Sequence, residues 1–138
     1  MDYIRCTMTG SPRKIPVVFY RTSTGNEPVR DWLHKLGRTD RNIIGQDLMR
    51  VQFRWPVGMP LCRPLGNGLW EVRSELSGNR IARVLFFAED DRIGALHGFI
   101  KKTQKTPLDA ITLANKRRME MENDKGSKSK NKAKGKRQ

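Results

Sequence analysis

The stretch Leu69–Phe87 reads LWEVRSELSGNRIARVLFF, and it decides the fold. Leu69 to Leu76 alternates apolar and polar residues with a period of two, the pattern of a strand with one buried face. Ser77-Gly78-Asn79-Arg80 then suits a two-residue hairpin turn, because Gly and Asn tolerate positive φ. Ile81 to Phe87 is the most apolar run in the chain and reads as the central strand. Glu89-Asp90-Asp91 turns the chain once more, and Ile93 to Lys101 supplies the last strand. Consecutive strands joined by tight turns give an antiparallel meander.

Upstream lies a short β-rich run, Pro16 to Arg21, followed by two helical patterns. From Glu27 to Leu36, Val29, Leu33 and Leu36 recur at i, i+4 and i+7 with Trp32 beside them, and Gly37 ends the run. Thr39 is positioned to cap a second helix, in which Ile44, Leu48, Val51 and Trp55 form one stripe and Pro56 closes it. A tight link between two amphipathic helices predicts an antiparallel helical hairpin. Pro56 to Gly68 is dense in proline and glycine and reads as irregular. Downstream, Thr106-Pro107-Leu108-Asp109 is a helix start, with Thr at the cap and Pro at the first helical position. The order β, α, α, β, β, β, α is that of an α+β domain: an antiparallel meander sheet with an N-terminal helical hairpin on one face and a C-terminal helix.

The 138 residues carry a net charge of +14 and a pI near 10.5, which points to an anionic partner. No apolar run is long enough to span a bilayer, and Met1 to Cys6 lacks a signal-peptide core, so the chain reads as soluble and cytoplasmic with no membrane partner. Cys6 and Cys62 are too few for a disulfide framework or a cysteine zinc site, and His34 and His97 have no ligand spacing. Neither metal nor cofactor is expected. Residues 1–14 read as a loose leader, 15–122 as the folded domain, and 123–138 as a disordered lysine-rich tail with seven Lys/Arg against one Asp. The rest of the chain keeps +8 of the charge.

Strand parity places that charge. Trp70, Val72 and Leu76 should face the helical hairpin, as should Ala82, Val84, Phe86, Leu96 and Ile100. The opposite face then collects Arg73, Arg83, His97, Phe99 and Lys101 from three separate strands, together with Glu71, Glu75, Ile81, Leu85 and Phe87. The bland alternative is a solvated face with Arg73 paired to Glu71 or Glu75. Leu85 and Phe87 argue against it, since they need cover, and the C-terminal helix is the spare element. A half-covered basic groove is the better description.

Arginines fork onto phosphate, lysines act as point charges, and a Phe offers a base a stacking surface. With no carboxylate pair and no convergent metal ligands, the chemistry open to such a groove is metal-free cleavage of RNA. The 2′-OH attacks its own phosphate; the protein removes that proton, balances the phosphorane charge and protonates the leaving 5′-oxygen. His97 is one candidate for moving these protons, and a lysine in the crowded run Lys101, Lys102, Lys105 is the other. The candidate catalytic residues are Arg73, Arg83, His97 and Lys101. The candidate RNA contacts are Arg63, Phe99, Lys102 and Lys105, with Lys102 limited by core parity to a strand-end phosphate contact. Arg80, in a turn, is expected to face solvent.

Three segments together resemble a known family: PLGNGLWEVR (Pro64–Arg73), RIARVLFF (Arg80–Phe87) and LHGFIKKTQKTP (Leu96–Pro107). They look like the phage-derived, HigB-like branch of the RelE/ParE toxins, over about residues 16 to 120. The resemblance implies a small RelE-like fold and a ribosome-dependent mRNA endonuclease. It also implies the ribosome and mRNA as partners, and neutralisation by a cognate helix-turn-helix antitoxin. The family's basic residues fall on Arg73, Arg83, Lys101 and Lys102. The chain departs at Phe86, where the family often has a tyrosine. Two other readings stand beside it: a non-catalytic RNA- or ribosome-binding basic protein, and a gyrase-directed toxin of the ParE type.

Overall fold

A sheet with apolar residues on both faces must be covered on both, and this chain covers one with its N-terminal half and the other with its C-terminal helix. The computed structural model describes residues 14–137, with side chains described for residues 14–123. The expected leader lies outside the described residues except for Lys14. The elements are β1 (Val17–Phe19), α1 (Pro28–Lys35), α2 (Arg38–Arg54), β2 (Cys62–Gly66), β3 (Leu69–Leu76), β4 (Arg80–Ala88), β5 (Ile93–Lys101) and α3 (Leu108–Arg137). They form an α+β domain with a five-stranded mixed sheet in the order β1-β5-β4-β3-β2. The meander β2 to β5 is antiparallel, while β1 pairs in parallel with β5, Val17 opposite Ile93. Among the described residues no helix is long and apolar enough to cross a membrane.

The first face buries Val29, Ile44, Leu48 and Val51 of the helical hairpin against Val72, Val84, Phe86 and Ala95. Trp55, just past α2, meets Trp70 and Phe86 edge to face, with ring centroids 5.0 and 5.3 Å away. Trp32 packs on β5 at Gly98, where a Cβ would come to 2.5 Å from its ring. The second face packs Tyr20, Leu69, Leu85, Phe87 and Leu96 under Ala110 and Ala114 of α3. Cys62 is wholly buried, and burial, with Asp47 adding to it, pushes its thiol up to about 12.

Several local expectations are corrected. The segment 56–68 contains a strand, β2, tolerated despite Pro64 because it lies at the sheet edge, where no ladder partner needs every N–H. Gly37, not Thr39, precedes the first turn of α2, and Arg41 N–H bonds its carbonyl. The β3–β4 connection has three residues, Ser77–Asn79, with positive φ at Gly78 and Asn79. Leu96 sits on the second face rather than against the hairpin. The pairs Leu85–His97 and Phe86–Ala95 leave it unmatched in a bulge, which switches parity. Arg80 is half-buried and forks onto Asp40 of α2 at 2.8 and 3.1 Å. The hydroxyl of Thr106 does not cap α3; it donates to Glu71. α3 runs as helix from Leu108 to Arg137.

Candidate RNA-binding site

Antiparallel register builds the site in rows across the second face. One row is Arg63, Glu71, Leu85 and His97, from β2 to β5. The next is Arg73, Arg83 and Phe99, and the last is Glu75, Ile81 and Lys101. α3 covers the apolar end of this face, at Leu69, Leu85, Phe87 and Leu96. The other end is spanned by residues 102–107, the link from β5 to α3.

That link docks on the sheet at three points. Arg83 Nη2 donates to the carbonyl of Thr103, Arg73 Nη2 to Gln104 Oε1 at 2.7 Å, and Thr106 Oγ1 to Glu71 Oε2. Beneath it, Glu71 and Arg83 are both 0% exposed. Glu71 lies 3.8 Å from Arg83 Nε and 4.0 Å from Arg73 Nη1. Glu71 Oε1 and Arg83 Nε and Nη1 make no hydrogen bond among the described residues. Burial pushes the Arg83 guanidinium down, Glu71 opposes this, and Arg73 and Arg63 add to it. It stays charged all the same, because an arginine starts far above neutrality.

Phe99 is the hub of the accessible part. Its ring centroid lies 5.4 Å from that of His97, 5.8 Å from the Arg83 guanidinium and 5.9 Å from Lys101 Nζ. His97 and Phe99 are half-buried, and the Arg73 side chain keeps 13% of its surface. Lys101, Lys102 and Lys105 are exposed. Burial, with Arg117 second, lowers the pKa of His97 below that of free imidazole, so it is neutral at pH 7. Arg117 also bonds the carbonyl of the bulged Leu96 at 2.8 Å, which fixes α3 beside His97.

A cleft of about 510 Å³ opens at the same end of the sheet, lined by Arg73, Lys102 and Gln104 with Glu75, Ile81 and Met59. A second cleft, of about 660 Å³, lies beside β1 and contains none of the expected site residues. Among the described residues, no group of three or more His, Cys, Asp or Glu is placed to hold a metal ion.

The structure thus brings Arg73, Arg83, His97, Phe99 and Lys101 onto one face, with Arg63 at its β2 edge and Lys102 and Lys105 on the link. It separates them by depth: Arg83 is buried under the link, and the three lysines are exposed. Phe86, where the resembled family often has a tyrosine, is buried on the opposite face against Trp55. A hydroxyl there would not reach the cations. Sequence reasoning treated Glu71 as at most a partner for Arg73 on a solvated face, and it missed Thr103, Gln104, Thr106 and Arg117. For Glu71 parity gave the face, shared with Glu75 and the cations, but not the burial.

No curated protein matches the chain. The family model for phage-derived protein Gp49-like (DUF891) matches residues 31–119, from within α1 through strands β2 to β5 into α3. With most of the folded chain matched, this protein belongs to the Gp49-like family of phage-derived proteins, whose relatives are the RelE- and HigB-like toxins.

Proposed function

We propose that this chain is the toxin of a toxin–antitoxin pair, of the HigB-like kind, and that it cleaves mRNA on the ribosome by attack of a 2′-OH on the adjacent phosphate. The observation that carries the reading is the cluster of a neutral imidazole, an aromatic ring and cations at the end of one sheet face that α3 leaves free. His97 takes the 2′-OH proton as the 2′-oxygen bonds to phosphorus. Arg73 neutralises the non-bridging oxygens, with Lys102, Lys105 and Arg63 on the flanking phosphates. Lys101 protonates the 5′-oxygen as its bond to phosphorus breaks, leaving a 2′,3′-cyclic phosphate and a 5′-OH. Phe99 stacks a base beside the cut. Arg83 adds positive potential from beneath. A helix-turn-helix antitoxin is the partner this reading implies.

The burial of Arg83 favours one rival, an RNA-binding protein without chemistry, because it removes a cation from the surface. End chemistry separates the two. Primer extension on mRNA from cells briefly expressing the protein should show discrete stops, and the fragments should carry cyclic phosphate ends. Growth arrest with intact mRNA would sink the endoribonuclease reading and leave the RNA-binding or gyrase-directed ones.

A further inference from the structure

A wholly buried carboxylate on a cation-rich face needs a physical reason. Glu71 and Arg83 are each 0% exposed, and neither satisfies all its polar atoms. Removing both charges from water costs more than such an imperfect pair returns, so stability alone is a poor reason to keep it. What the pair does hold is the link 102–107. Three of its residues dock on three neighbouring positions of the sheet: Thr103 on Arg83, Gln104 on Arg73 and Thr106 on Glu71. Arg83 lies directly opposite Arg73 in the ladder, and Glu71 is two residues from Arg73 on β3, so the three docking points form a compact triangle. The exposed Lys101, Lys102 and Lys105 are carried on or beside the segment so held. Lys102 thereby shares a cleft with Arg73.

We propose that Glu71, Arg83 and Thr106 are positioning residues, a buried clamp that fixes the lysine-bearing link over the sheet so that Lys101 and Arg73 converge on the scissile phosphodiester and Lys102 on the phosphate beside it. Arg83 acts through the link and not by touching RNA. A free link would place its ammonium groups over many arrangements, whereas a fixed one presents them already oriented, which matters most as charge builds on the phosphorane. This proposal rests on the endoribonuclease reading and deepens it.

The Thr106 hydroxyl is the place to test the clamp, because Glu71→Gln would leave a buried guanidinium uncompensated and risk unfolding the chain. Thr106→Val removes the donor at nearly constant volume; Thr106→Ser keeps it. Two measurements are made on each full-length variant. The first is the rate of tryptic cleavage after Lys101, Lys102 and Lys105 in the folded protein alone. The second is single-turnover cleavage on programmed ribosomes, read as a maximal rate and a half-saturating concentration.

Thr106→Val should be cut faster by trypsin in the link and should lose about tenfold in maximal rate, the scale of a lost hydrogen bond to a charged group. Its half-saturating concentration should stay within about twofold of the wild type, since ground-state contacts survive. Thr106→Ser should restore both. Equal trypsin rates for Thr106→Val and wild type overturn the clamp. A looser link with an undiminished maximal rate overturns its catalytic role. If Thr106→Ser fails as badly as Thr106→Val, packing and not the hydroxyl is responsible, and the proposal falls. A wild type that makes no cut at all overturns the endoribonuclease reading instead, while the trypsin comparison still decides whether the clamp exists.

Discussion

His97 fits the part of a base because burial beside Arg117 keeps its ring neutral at pH 7. A base works in its deprotonated form, so lowering its pKa moves the acid limb of the rate profile below the usual imidazole value of about 6.5. Single-turnover cleavage should therefore be flat near neutrality and fall only below about pH 6.5. A limb centred well above that value would assign the proton to another group. His97→Gln should lower the rate by roughly 10²–10⁴-fold and abolish the limb. Arg73→Ala and Lys101→Ala should each relieve growth arrest at equal expression of folded protein; arrest as strong as the wild type from both would refute the site. That these residues share one face was legible in the sequence, because period-two parity needs no knowledge of register. Glu71 and Thr106 were not, because parity gives a face and not a depth. Their bond joins positions 35 apart in sequence, and the Thr-Pro pair on its own reads as a helix cap.

Elements are fastened here by charged side chains as much as by the core. The β3–β4 hairpin is tied to α2 by the fork of Arg80 onto Asp40. The hydrogen bond from Arg80 holds the Asp40 carboxyl below the usual carboxylate range, with burial partly opposing it. A depressed folded-state pKa stabilises above the unfolded value of about 4 and ceases to do so as pH falls through the folded value. Asp40→Asn should therefore lower Tm at pH 7, and the gap from wild type should close on acidification below about pH 4. A constant gap across that range would show that the fork is not what the substitution removes. Packing gives a second check at this scale. Gly98→Ala drives a methyl into the Trp32 ring and should destabilise by about 1–3 kcal/mol in chemical denaturation, as overpacking does.

Periodicity revealed the helical hairpin and the three long strands, because each is long enough to repeat its pattern. It did not reveal β2, in which Pro64 and Gly66 suppress the strand signal. Nor did it reveal the Leu96 bulge, which one inserted residue creates and only the ladder shows.

Over the whole molecule, charge falls into two parts. The folded region retains +8 and concentrates cations at one end of a sheet face, whereas residues 123–138 add seven Lys/Arg against one Asp. Composition alone pointed to an anionic partner without saying which cations would bind it and which would act on it. The sheet suggests a division, because Lys101 lies beside Phe99 and Arg73 shares the row of Arg83 and Phe99, while the C-terminal lysines belong to the far part of α3. We propose that the C-terminal lysines contribute affinity without chemistry. A cation that meets phosphate equally in ground state and transition state tightens binding and leaves the bound rate unchanged. Truncation after Glu122 should weaken association with ribosomes and flatten its salt dependence, by roughly 0.7–0.9 log units of slope for each phosphate no longer neutralised. Cut positions and cyclic phosphate ends should persist, as should the maximal single-turnover rate. Lys101→Ala should do the reverse, slowing cleavage at saturation with association nearly intact. A truncated protein that binds normally yet no longer cuts would place the tail in the reacting site and overturn the division.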